Sequence, residues 1–266
     1  MSATDAPAIA PSRLRADLAA LGLRAGDTVM LHGSMRAIGP VMGGPTTVVA
    51  SLLELLGLAG TLMMYSGWQD LPDWLGQLEP DAQAAYEREY PPFDPATARA
   101  VRDHGILAEV VRTWPGAQRS LNPEASMVAI GAAARDLTRD HPRDYGYGAG
   151  SPLARLVERG GRVLLLGAPL DTITLLHYAE ATAHLRHKAT VRYRYPTLDN
   201  GRRVWIAVED FNTGEPHAAY SFEQIARDYL AAGRGHAGAV GNAPSHLFDA
   251  ADLAAFAVAW LEERFS

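Results

Sequence analysis

The chain has 266 residues, of which 48% are hydrophobic and 20% are charged, the composition of a globular protein with a sizeable core. It contains no cysteine, which excludes disulfides, thiolate metal sites and cysteine nucleophiles. Its formal net charge of −6 argues against nucleic acid as a partner and suits a cationic ligand.

The N-terminal stretch MSATDAPAIAPSR has no basic head followed by a long apolar run. Elsewhere no stretch approaches the roughly 18 uninterrupted apolar residues of a membrane span. We therefore expect no signal peptide, no membrane association and a cytoplasmic location.

In the first half of the chain, helical and strand-like patterns alternate. The spacing predicts helices in PSRLRADLAALGL, GGPTTVVASLLELLG and ATARAVRDHGILAEVVRTW, and strands in DTVMLHGS, GTLMMYS and ASMVAIG. Between the second strand and the third helix the periodicity stops, and residues 66–95 are rich in tryptophan, proline and acidic residues.

The second half continues the alternation and adds a hairpin. SPLARLVERGG is predicted to be a helix, with Ser151 as N-cap and Pro152 in its first turn, and RVLLLGAP a buried strand. DTITLLHYAEATAHL, SFEQIARDYLAAG and DAADLAAFAVAWLEERF are further helices. KATVRYRYPTL and RRVWIAVEDF are predicted to form a hairpin joined at Asp199-Asn200-Gly201. This order predicts one α/β domain over residues 1–266 with a mostly parallel, partly mixed sheet.

Two glycine patterns match known motifs in letters but not in context. GRGHAG fits G-x-G-x-x-G, yet it follows a helix rather than a strand. RDYGYG fits the R-x-x-G-x-G acetyl-CoA signature of the general N-acetyltransferase superfamily, yet no apolar strand precedes it. We assign function to neither.

Four polar residues fall on one face of a predicted helix: His177, Glu180, His184 and His187. Such a stripe could ligate zinc in a metal-dependent hydrolase. Alternatively, the last two histidines form a polar helix end, where imidazolium suits the helix dipole. His177 differs from these because it follows a strand directly and has apolar neighbours in LLHYA.

Several motifs together resemble the aminoglycoside 3-N-acetyltransferase family, from about residue 14 to residue 265. They are LHGSMRAIGPVMGGP, GTLMMYSGW, PPFDPATARAVRDHGIL, RSLNPEASMVAIG, GAGSPLARL and LLLGAPLDTITLLHYAEATA. The resemblance implies a three-layer α/β/α sandwich unrelated to the general N-acetyltransferase fold. It also implies acetyl-CoA as co-substrate, no metal, and acetylation of the 3-amino group on the deoxystreptamine ring of aminoglycoside antibiotics, which confers resistance.

The resemblance also implies roles for individual residues. His177 matches the catalytic histidine and Glu209 the carboxylate that orients it. Asp171 matches an aspartate at the start of the helix, where serving as N-cap would explain it equally well. The implied coenzyme-binding residues are His32, Gly33, Ser34, Met35, Arg36, Gly43, Gly44 and Thr172.

The coenzyme assignment is chemically reasonable, since small residues let backbone N–H groups approach phosphate oxygens and Arg36 can pair with them. A strand-to-helix turn would also need small residues without any ligand. For the substrate we expect contacts from Tyr65, Gln69, Asp70, Glu180 and Asp210.

Two departures from the family pattern limit the transfer of roles. Where the family commonly has S-x-H-P, this chain has Asn122 in place of the histidine, so no histidine role transfers there. The aspartate that often follows the family's tryptophan is Gln69 here, and Asp70 comes after it.

Residues 66–95 contain seven acidic residues and one basic residue. A charge run is usually a solvated face, but this one follows a strand that should end near the site. We expect either such a face or a lid over a polycationic substrate.

The residues together predict direct acetyl transfer in a ternary complex, with neutral His177, oriented by Glu209, taking the proton of the attacking amine. Three alternatives remain: a same-fold acetyltransferase acting on a non-antibiotic amine, a metal-dependent hydrolase, and a non-catalytic cation-binding protein. We expect a monomer or a homodimer.

Overall fold

The computed structural model describes residues 7–186, 188, 190–211 and 220–266. Within these, the α-helices are α1 (Pro11–Ala20), α2 (Met35–Ile38), α3 (Gly44–Leu56), α4 (Pro80–Glu89), α5 (Ile106–Arg112), α6 (Ala134–Thr138), α7 (Pro152–Glu158), α8 (Leu175–Thr182), α9 (Phe222–Ala231) and α10 (Ala250–Phe265). The strands are β1 (Thr28–Gly33), β2 (Thr61–Tyr65), β3 (Gln118–Arg119), β4 (Met127–Gly131), β5 (Arg162–Leu166), β6 (Thr190–Asp199), β7 (Arg202–Phe211), β8 (His236–Val240) and β9 (Ala243–Asp249). Short 3-10 helices span Asp73–Gln77, Arg102–His104 and Leu170–Thr172.

Seven strands form one mixed sheet in the order β3-β4-β2-β1-β5-β9-β8. At its centre β1 pairs in parallel with β2 and with β5, whereas the outer pairs are antiparallel. Since β3 and β8 each lie one strand further out, they run in the same direction as the central three. This confirms the predicted α/β class with a mostly parallel, partly mixed sheet.

Alternating side chains of the central strands pack into two separate hydrophobic cores, one on each face of the sheet. In β1, Met30 belongs to the core that α7, α8 and α10 cover. Its neighbours Val29 and Leu31 belong to the opposite core, which α1, α3 and α5 cover. Successive residues of a strand point to opposite faces, so an uninterrupted apolar run is buried on both sides. The helices therefore form two layers around the sheet, as expected.

The hairpin β6–β7 forms a second, two-stranded sheet, and its turn lies within the predicted residues. Asn200 and Gly201 both have positive φ, 49° and 76°, as a two-residue hairpin turn requires. The GRGHAG sequence leads into β8, so its context is not the strand–turn–helix of a dinucleotide site.

The third predicted helix is much shorter than the pattern suggested. Only α5 and a short 3-10 helix form within residues 96–114, separated by Gly105 at φ 76°. Before them, the backbone N–H of Ala100 donates to the Glu109 carboxylate, and that of Arg102 donates to the Gln69 side chain. These side-chain partners replace the helical hydrogen bonds of this stretch.

Among the described residues, no helix is both long and apolar enough to cross a membrane.

Candidate active site

A cavity of 740 Å³ opens where the central strands β1, β2 and β5 end. α3 covers one face of the sheet and α8 the other, so the chain leaves neighbouring strands on opposite sides. In α/β sheets this arrangement leaves a crevice outside the carboxyl ends of the strands. The predicted residues that line the cavity are His32, Gly33, Ser34, Met35, Arg36, Tyr65, Asp171, Thr172 and His177.

His177 lies in the first turn of α8 and is held by a buried carboxylate. Glu180 follows three residues later on the same helix face, and its Oε2 is 2.8 Å from Nδ1 of His177. The Tyr220 hydroxyl donates to the other Glu180 oxygen at 2.7 Å, and Glu180 is only 1% exposed. A carboxylate accepts hydrogen bonds, so it fixes the proton on Nδ1 and leaves Nε2 as the basic nitrogen.

Two aromatic rings confine the same imidazole. Its centroid lies 4.9 Å from that of Tyr147 and 4.7 Å from that of Phe222, which meets it edge-on. Tyr147 and Phe222 both line the cavity. With Glu180 behind the ring and aromatic side chains against it, His177 has one orientation available, as a positioned proton acceptor needs.

The prediction that Glu209 orients His177 is wrong. Glu209 lies on β7 directly across from Arg192 on β6, and the two side chains form an ion pair at 2.8 Å. The Glu209 side chain is 56% exposed and does not line the cavity. Because side chains alternate along a strand, the next residue, Asp210, points the other way and accepts a hydrogen bond from the Gly146 N–H.

Glu180 was predicted to bind substrate, and this is also wrong, since its two oxygens are bonded to His177 and Tyr220. Asp171 is exposed and lines the cavity. Its alternative role as helix N-cap is ruled out because α8 begins at Leu175, with Thr174 in the N-cap position.

A second, half-buried acid, which the sequence did not single out, faces the cavity. Glu124 precedes β4 and is held by tyrosines: the Tyr147 hydroxyl lies 3.3 Å from Oε1 and that of Tyr193 3.2 Å from Oε2. Burial, and next the charge of Asp210, raise the pKa of the Glu124 carboxyl to about 7. Its sequence context, a lone acid before the buried ASMVAIG strand, was the available signal.

Two histidines that line the cavity, His32 and His104, are uncharged at neutral pH. Burial, and next the proximity of His104, lower the pKa of His32 to about 3. The buried Nε2 of His32 has no hydrogen-bond partner among the described residues. Burial also lowers the pKa of His104, whose ring lies 4.4 Å from that of Tyr65. Arg36 therefore supplies positive charge at the cavity.

Four other predicted residues do not line the cavity. Gly43 and Gly44 have positive φ, 75° and 66°, and form the start of α3. The Gln69 side chain accepts the Arg102 N–H at 2.8 Å. Asp70 forms an ion pair with Arg99 at 3.0 Å. The Gln69 and Asp70 bonds tie the acidic segment 66–95 to residues 99–102.

The acidic segment also packs on the hairpin. The N–H of Phe93 donates to the carbonyl of Pro196 at 2.8 Å, and Glu87 forms an ion pair with Arg194 at 3.0 Å. The charge of Asp73, at the start of a 3-10 helix, contributes to the raised pKa of Glu124. Asp73 is thus an acid of this segment whose charge reaches Glu124 on the cavity wall.

The structure does not bring together the four residues of the helix face that was predicted as a possible zinc site. His177 and Glu180 bond to each other, the backbone N–H of His184 donates to Glu262, and His187 lies outside the described residues. In the part of the chain that the structure describes, no group of three histidine or acidic side chains is arranged to hold a metal ion.

Comparisons with known proteins agree with this geometry. The family profile described as aminoglycoside 3-N-acetyltransferase matches residues 30–262. Aminoglycoside N(3)-acetyltransferase III of Pseudomonas aeruginosa is 59% identical over 92% of this chain and 91% of its own length. Aminoglycoside N(3)-acetyltransferase VIII of Streptomyces fradiae is 49% identical over 95% of this chain and 91% of its own length.

Solved structures of similar fold belong to the same family of acetyltransferases. A structure described as AAC-IIIb binary with CoASH superposes with a TM-score of 0.91 at 46% identity, covering 98% of each chain. Another, described as AAC-VIa bound to sisomicin, gives 0.92 at 40% identity, covering 98% of this chain and all of the other. In sequence and in fold, the chain belongs to the aminoglycoside 3-N-acetyltransferase family of acyltransferases.

Proposed function

We propose that this protein transfers the acetyl group of acetyl-CoA to the 3-amino group of the deoxystreptamine ring of an aminoglycoside, with His177 as general base. The observation that carries the proposal is the His177–Glu180 pair, which opens on a cavity shared with the predicted coenzyme-binding turn. The reaction is the one for which the similar proteins are named.

The proposed step uses the nitrogen that Glu180 leaves unprotonated. The substrate amine binds after losing its ammonium proton to solvent, and its lone pair attacks the thioester carbonyl. Nε2 of His177 takes the second proton as the C–N bond forms. When the C–S bond breaks, the imidazolium returns that proton to the leaving thiolate. The substrate amine takes the place that a serine hydroxyl has in a catalytic triad.

The turn after β1 supports binding of acetyl-CoA. Gly33 and Ser34 keep this wall small, and Arg36 lines the cavity, where its guanidinium can pair with phosphate. His32 and His104 stay neutral, so they can donate a hydrogen bond at the cavity without adding a charge. The structure of a relative with CoASH supports this co-substrate.

Negative charge on the other walls supports binding of a polycation. Asp103 and Asp171 line the cavity, and Asp210 and Asp73 lie close enough to its wall at Glu124 to influence the pKa of that residue. Aminoglycosides carry several ammonium groups, and clustered negative charge raises the local concentration of such a ligand.

The proposal is tested by following thiol release from acetyl-CoA with a panel of aminoglycosides, including sisomicin, and locating the new acetyl group by NMR. We expect one acetyl group, on the 3-amino nitrogen. Acetylation of simple amines with no aminoglycoside turnover would favour the alternative non-antibiotic substrate. Loss of activity with a chelator would favour the metal-dependent hydrolase.

The acidic segment offers a matched pair of substitutions. Asp73→Asn removes the charge that acts on the cavity wall, and we expect it to raise KM for a polycationic drug about two- to fivefold at low salt. Asp70→Asn removes a charge already paired with Arg99, and KM should change by less than about 1.5-fold. The measurement is KM at 20 and 300 mM salt. If the two substitutions changed KM equally, the acidic segment would be a solvated face and not part of the substrate site.

A further inference from the structure

The contacts around Glu124 need one more proton than the surrounding tyrosines carry. The Tyr65 hydroxyl is 2.8 Å from the Glu124 backbone oxygen and 3.1 Å from the Tyr147 hydroxyl. Tyr147 is 3.3 Å from Oε1 of Glu124, and Tyr193 is 3.2 Å from Oε2. Each of these four contacts needs one hydrogen, but three hydroxyl groups supply three.

An ionised Glu124 leaves one contact without a hydrogen. Tyr193 and Tyr147 then donate to the carboxylate and Tyr65 to the backbone oxygen, so the two hydroxyl oxygens of Tyr65 and Tyr147 face each other with lone pairs only. A protonated Oε1 removes this conflict. It donates to Tyr147, which donates to Tyr65, which donates to the Glu124 backbone oxygen, while Tyr193 donates to Oε2. All four contacts are then hydrogen bonds.

We propose that Glu124 is a neutral carboxylic acid in about half of the unliganded enzyme at pH 7, and in most of it at lower pH, and that it releases its proton when a cationic substrate enters the cavity. This inference rests on the proposed function, because that function supplies the cation. It makes Glu124 the residue through which pH controls substrate binding.

The surroundings of Glu124 favour the neutral form. Besides tyrosines from β2, from the loop before α7 and from β6, it faces Asp210 on β7 and Asp73 on a 3-10 helix. Two histidines contact these tyrosines and not Glu124 itself: the ring of His104 packs against Tyr65 and that of His177 against Tyr147. Burial and the two aspartates raise the pKa of Glu124 to about 7.

An ammonium group in the cavity reverses this balance. The carboxyl O–H bond breaks, its proton passes to the buffer, and the carboxylate accepts an N–H from the ammonium group. Binding below the pKa must displace that proton, so affinity falls as pH falls. With a pKa near 7, the contribution of Glu124 weakens binding about tenfold from pH 8 to pH 6.

Glu124→Gln is the informative substitution, because its amide N–H can donate to Tyr147 and its carbonyl can accept from Tyr193. Calorimetry of sisomicin binding in buffers of different ionisation enthalpy counts the protons exchanged. At pH 7 we expect the wild type to release about half a proton more than the variant, which should also lack the roughly tenfold change in Kd between pH 8 and pH 6. Glu209→Gln, which removes an exposed carboxylate outside both the tyrosine network and the cavity, should match the wild type. Equal proton counts for wild type and Glu124→Gln would overturn the proposal.

A second measurement needs no substrate and no variant. In wild-type protein with ¹³C-labelled glutamate carboxyl groups, one resonance should titrate near pH 7. If every glutamate carboxyl titrates below pH 5, Glu124 is ionised in the unliganded enzyme and the proposal fails. Absence of aminoglycoside binding by the wild type, with one carboxyl still titrating near pH 7, would instead count against the proposed function alone.

Discussion

His177→Ala is expected to lower kcat by about 10²- to 10⁴-fold while leaving acetyl-CoA binding within about twofold. The substitution removes the nitrogen that accepts the proton of the attacking amine. It touches no backbone hydrogen bond of α8, so the helix should persist. The measurements are steady-state thiol release and the Kd of acetyl-CoA by calorimetry.

The same substitution leaves Glu180 buried with one partner fewer, so stability has to be measured alongside activity. A Tm within a few degrees of wild type would show that the loss of kcat is chemical. The matched control is His184→Ala, which removes an exposed histidine just beyond the end of the same helix. Its kcat should stay within about twofold. Activity of His177→Ala close to wild type would remove His177 from the mechanism.

The fold could be predicted wherever local pattern and burial agree. The uninterrupted run RVLLL became the central strand β5, and Asn200-Gly201 formed the hairpin turn. The outer strands β3, β8 and β9 were missed: β3 is only two residues long, and β8 pairs only with β9, whose place in the sheet depends on a distant partner. β9 is set by its register with β5, about 80 residues earlier in the chain.

The site was predictable where one helix carries it. His177 and Glu180 are three residues apart, a spacing that places them on one helix face, and the sequence identified both. Their relation was nevertheless misassigned, because the family resemblance assigned the orienting carboxylate to Glu209 on the hairpin. Whether Glu209 or its neighbour Asp210 faces the rest of the molecule depends on which face of the two-stranded hairpin packs against it. That is a tertiary property, and residue spacing does not determine it.

Glu124 illustrates what the sequence could not supply. Its tyrosine partners come from β2, from the loop before α7 and from β6, up to 69 positions away along the chain. No local pattern joins these residues. The proton count around Glu124 exists only once three tyrosine hydroxyl groups and one carboxyl group form a chain in which each contact is 3.3 Å or shorter.

Glu180→Gln should lower kcat about 10²-fold and shift the acidic limb of the kcat/KM profile to lower pH. Without the anion, the imidazolium that forms during transfer loses its partner, and an amide N–H facing Nδ1 would favour the tautomer with the proton on Nε2. Glu209→Gln, which removes the carboxylate paired with Arg192 at the surface, is the matched control, and its kcat and pH profile should equal those of wild type. The measurements are pH–rate profiles of both variants from pH 5.5 to 9, with Tm recorded for each. If Glu209→Gln lost activity and Glu180→Gln kept it, the carboxylate on the hairpin, and not the one on α8, would be the partner of His177.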